Sequence, residues 1–215
     1  MDDSQEKIDY LRSSIIRWGK ANYAKFIWRA TDNHWHALVA EIMLQRTRAE
    51  QVEPIFMDFC VRFETPADYL EKSDGSTFAN LGLKWREPLL RDLAQALAGK
   101  EIPVESHDLK SLPGIGDYIA AAYRSMHLGL RDTIIDSNIV RFYGRFFGFA
   151  VDPETRRKKW FRELAEKVTP ETQFREYNYG MLDFTRNICR PKPLCDTCPL
   201  HTRCEFYLEI PPETN

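Results

Sequence analysis

Leu112-Pro113-Gly114-Ile115-Gly116 interrupts two stretches of helical pattern, SHDLKS before it and DYIAAAYRSMH after it. Two glycines around one apolar residue allow a tight turn with Ile115 packing inward. The amide N–H groups of the turn then sit at the start of the next helix, where a phosphate oxygen can be bound. The same pentapeptide also makes an αα-turn with no ligand, since Pro-Gly turns are common. Helix, hairpin, helix is the arrangement from which the rest of the chain is read.

Outward from the hairpin the helical spacing continues in both directions. Leu38, Ile42, Val52, Ile55, Phe56 and Phe59 recur at it, as do Leu89, Leu90, Leu93 and Leu97, and later Ile139, Val140, Tyr143, Phe146 and Phe147. Alternating strand patterns with paired turn signals are missing. Breaks come at Asp74-Gly75, Ile102-Pro103, Asp152-Pro153, Thr169-Pro170 and Pro191-Lys192-Pro193. The expectation is an all-α protein.

The 215 residues suffice for one large domain or two small ones, and 43% hydrophobic with 29% charged residues is a globular balance. No apolar run approaches the roughly 18 residues of a membrane span. The opening MDDSQEKIDY is acidic and polar, unlike a secretory signal, so an intracellular place (cytoplasm or nucleoid) is expected. The net charge of −2 advertises no polyanion partner, although a local basic face suffices to track phosphates. Arg186, Arg190, Lys192 and Arg203 do gather late in the chain, as a solvated surface also would.

Of five cysteines, Cys60 stands alone in PIFMDFCVRF and reads as a buried, inert thiol. The other four, Cys189, Cys195, Cys198 and Cys204, have the spacing C-x5-C-x2-C-x5-C. Inside a cell, cysteines this close are better read as metal ligands than as disulfides. Soft thiolates select an iron–sulfur cluster or zinc. Zinc usually takes two short Cys pairs separated by a longer spacer, and only one such pair is present, which favours the cluster.

Asp136 ends the apolar run Thr133-Ile134-Ile135 and precedes the helix of Arg141, Tyr143 and Phe147. It is a candidate N-cap, as are Ser137 and Asn138. A carboxylate there is also held ionised, a useful permanent anion where positive charge develops. Glu41 lies among Leu38, Val39, Ile42 and Met43, so its carboxyl is expected to be buried, raised in pKa and able to donate a proton. A lone glutamate is more usually exposed or ion-paired.

Hairpin, aspartate and terminal cysteine run, in this order, resemble the helix-hairpin-helix DNA glycosylase superfamily. The likeness is to its iron–sulfur branch of endonuclease III, MutY and the Mig-type thymine mismatch enzymes. It covers nearly the whole chain and extends to Glu41-Ile-Met-Leu-Gln-Arg-Thr47, Asn80-Leu-Gly-Leu83 and Tyr177-Asn-Tyr-Gly-Met-Leu-Asp183. The resemblance implies two helical domains. One is a six-helix domain with the hairpin at about residues 28–138; the other combines 1–27 with 139–215 and holds a C-terminal [4Fe-4S] loop.

It also implies a monomer acting on double-stranded DNA that contains a mismatched or damaged base, with the target nucleotide flipped out. Asp136 matches the catalytic aspartate. Glu41 would meet the flipped base, Gln45 would fill the gap it leaves, and Leu83 would touch the opposite strand. Leu112, Gly114, Ile115 and Gly116 would hold the DNA backbone. Cys189, Cys195, Cys198 and Cys204 would bind the cluster. Tyr118 stands where bifunctional relatives carry a Schiff-base lysine. A phenol cannot form an imine, so a monofunctional hydrolase is expected.

Two departures stand out. The first cysteine spacing is x5 against the family's usual x6, which keeps zinc in play. Asp117 follows the hairpin where many relatives are basic. Tyr118, and a chain that ends soon after Cys204 without a second reading domain, favour T or U opposite G. Excision of adenine or another purine is the alternative, and a non-catalytic DNA-binding iron–sulfur protein or an electron carrier is the alternative of another class.

Overall fold

The computed structural model describes residues 3–209, the Asp3 and Asn80 side chains excepted. In chain order the α-helices are α1 (Asp3–Asn22), α2 (His34–Met43), α3 (Ala49–Arg62), α4 (Pro66–Lys72), α5 (Glu87–Leu97), α6 (Ser106–Ser111), α7 (Asp117–Ala122), α8 (Ser137–Phe147), α9 (Lys159–Val168), α10 (Phe174–Asn187) and α11 (Glu205–Leu208). Short 3-10 turns join several of them, and no strand occurs among the described residues. The all-α expectation is met. No described helix is long and apolar enough to cross a membrane.

The chain divides into two units. One is the continuous stretch Lys25–Leu130; the other joins the residues up to Ala24 with those from Arg131 onward. In the continuous unit, α2 is buried over nearly its whole length and packs against α3 and α7. Its core joins Trp28, Leu38, Phe56, Phe59, Tyr69, Leu90 and Leu93. The helical periodicity anticipated this, with Leu89 left at the rim. Thr65 starts α4 with a reciprocal capping box to Asp68, and Pro66 follows at a position where its missing N–H costs nothing.

In the discontinuous unit α1 lies along α10, and α8 packs on α10 and α11. Gly180 brings α10 close to α1: a methyl group there would stand 3.0 Å from the Ile15 carbonyl oxygen. The segment Tyr177–Asp183 is explained by such packing. The Tyr177 and Tyr143 hydroxyls share a buried hydrogen bond of 3.0 Å, the Asn178 amide donates to the Asp132 carbonyl at 3.1 Å, and the buried Asp183 accepts from Ala24 N at 3.0 Å. Each satisfies a polar group that burial would otherwise strand.

Candidate active site

The hairpin is a turn closed by Ile115 N on the Leu112 carbonyl at 3.2 Å. Pro113 and Gly114 occupy its central positions, and Gly114 has φ +79°, the pattern of a type II turn. Gly116 differs from the expectation drawn from two glycines: it is extended, at φ −98° and ψ −178°, and caps α7. What it contributes is space, since a methyl group there would meet nothing within 4 Å. Ile115 is buried, as expected, while Leu112 and Tyr118 pack at the edge of the core. Tyr118 thus carries an aromatic packing role whatever else it does. Asp117 is exposed and forms an ion pair with Lys110 at 3.3 Å.

A Gly114→Ala substitution tests the turn. Its methyl would sit 2.7 Å from Leu89 Cδ2 and in a left-handed backbone. We expect a loss of about 1–3 kcal/mol in urea unfolding, from strain together with the clash. Gly116→Ala, with open space and an ordinary φ, should lose less than about 1 kcal/mol.

After α7 the helix widens into a π-helical turn, Tyr123–His127, closed by Leu128 N on the Tyr123 carbonyl at 3.1 Å. Such turns are rare and often sit at functional sites. This one carries a polar pairing with α2. The Tyr123 hydroxyl meets His34 Nδ1 at 3.0 Å, and His127 Nε2 meets Glu41 Oε1 at 3.4 Å. The Glu41 and His127 side chains are 2% and 3% exposed, so Glu41 is buried as expected. Its second oxygen, Oε2, is buried with no hydrogen-bond partner among the described residues. Glu87, buried in the same unit, behaves otherwise: Tyr69 donates to one oxygen and Phe78 N to the other. Glu87 is a satisfied structural carboxylate, whereas Glu41 keeps one oxygen without a hydrogen bond among the described residues.

Beyond α2 the chain turns through Leu44–Thr47, with Arg46 at φ +59°, a conformation uncommon outside glycine. Arg86, 2% exposed, sends Nη1 to both the Ile42 and Gln45 carbonyls at 2.8 Å. Burial, and then the like charge of Arg46, pull its pKa below the ordinary arginine value. The half-buried Gln45 is thus held by its backbone, while its side-chain amide has no hydrogen-bond partner among the described residues. Leu83 is partly buried against the core, following Gly82 at φ +68°. Arg86 and His127 escaped the sequence reading. A buried cation is not legible from its neighbours, and a π turn leaves no periodic signature.

In the discontinuous unit Asp136 is the N-cap of α8. Oδ1 accepts from Ile139 N at 2.7 Å and Oδ2 from the Asn138 amide at 2.9 Å. No lysine or arginine lies within ion-pair distance of it among the described residues. The carboxyl is fixed in place by these two donors, and the Arg141 guanidinium is near enough to feel its charge.

All four terminal cysteines are free thiols, partly or fully buried. Burial pushes Cys198 up to about 11, and burial together with neighbouring thiols raises Cys195 and Cys204. The sulfurs are near enough to repel one another as thiolates, so a cationic centre would be needed to ionise them together. Donors are in place: Leu200 N points to Cys198 Sγ at 3.4 Å and Arg145 Nη1 to Cys189 Sγ at 3.5 Å. Arg145 also ties the Arg190 and Pro191 carbonyls at 2.7 and 2.9 Å. Leu194 N on the Ile188 carbonyl at 3.0 Å closes the short first loop. Among the described residues no three His, Cys, Asp or Glu side chains are gathered tightly enough to hold a single metal ion.

Of the late basic residues, Arg186 and Arg203 are committed to Asp183 and Glu6, while Arg190 and Lys192 are exposed on the first loop. Cys60 is half-buried, and burial raises it to about 11, in keeping with an inert thiol.

The solved structure of a thermostable thymine-DNA glycosylase matches this chain with a TM-score of 0.90 at 29% identity, covering 97% of this chain and all of that one. The fold is therefore that of the helix-hairpin-helix DNA glycosylases. Thymine-DNA glycosylase of Aeropyrum pernix is 34% identical, covering 94% of this chain and 96% of its own. Thymine/uracil-DNA glycosylase of Methanothermobacter thermautotrophicus is 32% identical over 96% and 98%. An adenine DNA glycosylase of Buchnera aphidicola is 29% identical over 91% of this chain but 59% of its own length. No protein-family model matches. The chain belongs to the helix-hairpin-helix DNA glycosylases, on their thymine/uracil branch.

Proposed function

We propose that the chain is a monofunctional DNA glycosylase removing thymine or uracil opposite guanine from double-stranded DNA, by hydrolysis of the N-glycosidic bond of a flipped nucleotide. The observation that carries this reading is Asp136, its carboxyl held at the start of α8 by two donors and in no direct ion pair among the described residues. Breaking the base–sugar bond leaves oxocarbenium character on the deoxyribose, and a fixed carboxylate stabilises it while water completes the displacement. Glu41 supplies a hydrogen bond or proton to the departing base through its open oxygen. Tyr118 offers no amine, so no imine forms and the strand is left intact. Similarity to thymine and uracil enzymes along nearly the full length favours a pyrimidine over adenine.

Amides at the Leu112–Gly116 turn hold a backbone phosphate, with the open space at Gly116 admitting it. Gln45 fills the gap left by the extruded base, and Leu83 touches the opposite strand. Cys189, Cys195, Cys198 and Cys204 hold a [4Fe-4S] cluster. The N–H donors on two of the sulfurs, Leu200 N and Arg145 Nη1, fit thiolate ligands, and a spacing with only one short Cys pair fits a cluster better than zinc. When bound, the cluster cross-links the loop bearing Arg190 and Lys192 and takes no part in base chemistry.

The test is single-turnover excision on short duplexes with G·T, G·U, A·G and A·8-oxoguanine pairs, each run with and without alkali. Alkali-dependent breakage at T or U opposite G is expected. Breakage only at a purine would transfer the chain to the adenine-type reading, and breakage without alkali would overturn the argument from Tyr118.

A further inference from the structure

The pairing of α2 with the π turn has two rungs, His34 with Tyr123 and Glu41 with His127. His34 and Glu41 are seven residues apart and so share one face of α2. Tyr123 and His127 are four apart, and their rings stack with centroids 6.3 Å apart at 29°. The first rung fixes the helices in register, and the second reaches a carboxyl that has a buried oxygen without a hydrogen-bond partner among the described residues.

We propose that His127 is the positioning residue of Glu41. Its Nε2–H donates to Oε1, which fixes the carboxyl plane and assigns the proton-bearing role to Oε2. The assignment holds in both charge states of Glu41, because Oε1 accepts whether it is the carbonyl oxygen of the acid or half of the carboxylate. In the acid, the proton sits on Oε2. As the glycosidic bond breaks, its electron pair passes into the base. The Oε2–H bond breaks, its pair stays on the carboxylate, and the proton bonds to a carbonyl oxygen of the base. Glu41 regains a proton from water after release. The inference rests on the role given to Glu41 under the proposed function.

Single-turnover excision from a G·T duplex would be measured for wild type, Glu41→Gln, His127→Ala, His127→Gln, His127→Asn and the Glu41→Gln/His127→Ala pair. Binding to an uncleavable fluorinated-sugar duplex and thermal unfolding would be followed alongside. Glu41→Gln should lose about 100-fold, and His127→Ala about 10- to 100-fold with binding changed less than about threefold. Glutamine presents an N–H close to where imidazole Nε2 lies and should stay within about fivefold of wild type, whereas the shorter asparagine should not. In the double variant, loss of His127 should cost less than about twofold beyond Glu41→Gln alone.

Should the alanine variant unfold, the contrast between glutamine and asparagine decides. Equal rates for those two, or a His127→Ala loss undiminished without Glu41, would overturn the inference and leave the role of Glu41 standing. An unchanged rate for Glu41→Gln would instead overturn that role, and this inference with it.

Discussion

Asp136→Asn should lower single-turnover excision by about 10²–10³-fold or more while leaving the fold nearly as stable as before. The two effects separate because the capping role and the proposed catalytic role depend on different properties. As N-cap of α8 it needs an oxygen acceptor for Ile139 N, and asparagine caps as well as aspartate does. In the proposed role beside a developing oxocarbenium it needs a full negative charge, which asparagine lacks. A stability change within about 1 kcal/mol is expected, reflecting the altered charge at a helix N-terminus. Asp136→Ala should lose activity and about 1 kcal/mol of cap together. Excision rates and thermal unfolding on the same preparations check both parts. An active Asp136→Asn enzyme would remove the proposed mechanism.

Arg86→Met should be among the most destabilising single changes in the continuous unit, at about 2–4 kcal/mol. Methionine matches much of the arginine stem, so little cavity opens, but the carbonyls of Ile42 and Gln45 lose their shared donor. Those carbonyls lie where α2 ends and its dipole is negative, so a cation there does more than a neutral donor would. Arg86→Lys keeps the charge but offers a compact ammonium in place of the planar fork, and should lie between the two. Urea unfolding would show the change as a shifted midpoint at unaltered slope. Excision should fall as well, because the Gln45 turn, with Arg46 at positive φ, is no longer tied down. Unchanged stability would mean that the turn holds itself.

Much of this was legible in the sequence because it depends on pattern. Apolar spacing marked α3, α5 and α8, and Pro113 with Gly114 marked the hairpin. Asp136 was placed as a cap by the apolar run before it. Glu41 was legible as a buried carboxyl because its flanks were apolar on both sides. Of the two glycines, only Gly114 takes a left-handed backbone; Gly116 is extended, and a methyl group there would meet open space. Arg86 and His127 could not be seen, since each is defined by partners about forty and eighty-six residues distant. Local pattern reports which face of a helix is buried but not what meets it there. The π turn hides further, because one wide turn barely disturbs an apolar stripe.

The two-part make-up of the unit holding Asp136 has a consequence for synthesis. Residue by residue, α1 leaves the ribosome first, yet its partner α10 follows only after the whole of Lys25–Leu130 has been made. An isolated helix of 20 residues, its apolar face uncovered, is at best marginal in water. The middle stretch, by contrast, can close on itself as soon as it emerges. Nascent-chain protease protection should therefore appear first between Lys25 and Leu130, while α1 stays cleavable until translation passes Asn187. The enzyme's first helix would be among its last to find a home, leaving a span of translation in which a chaperone has something to hold.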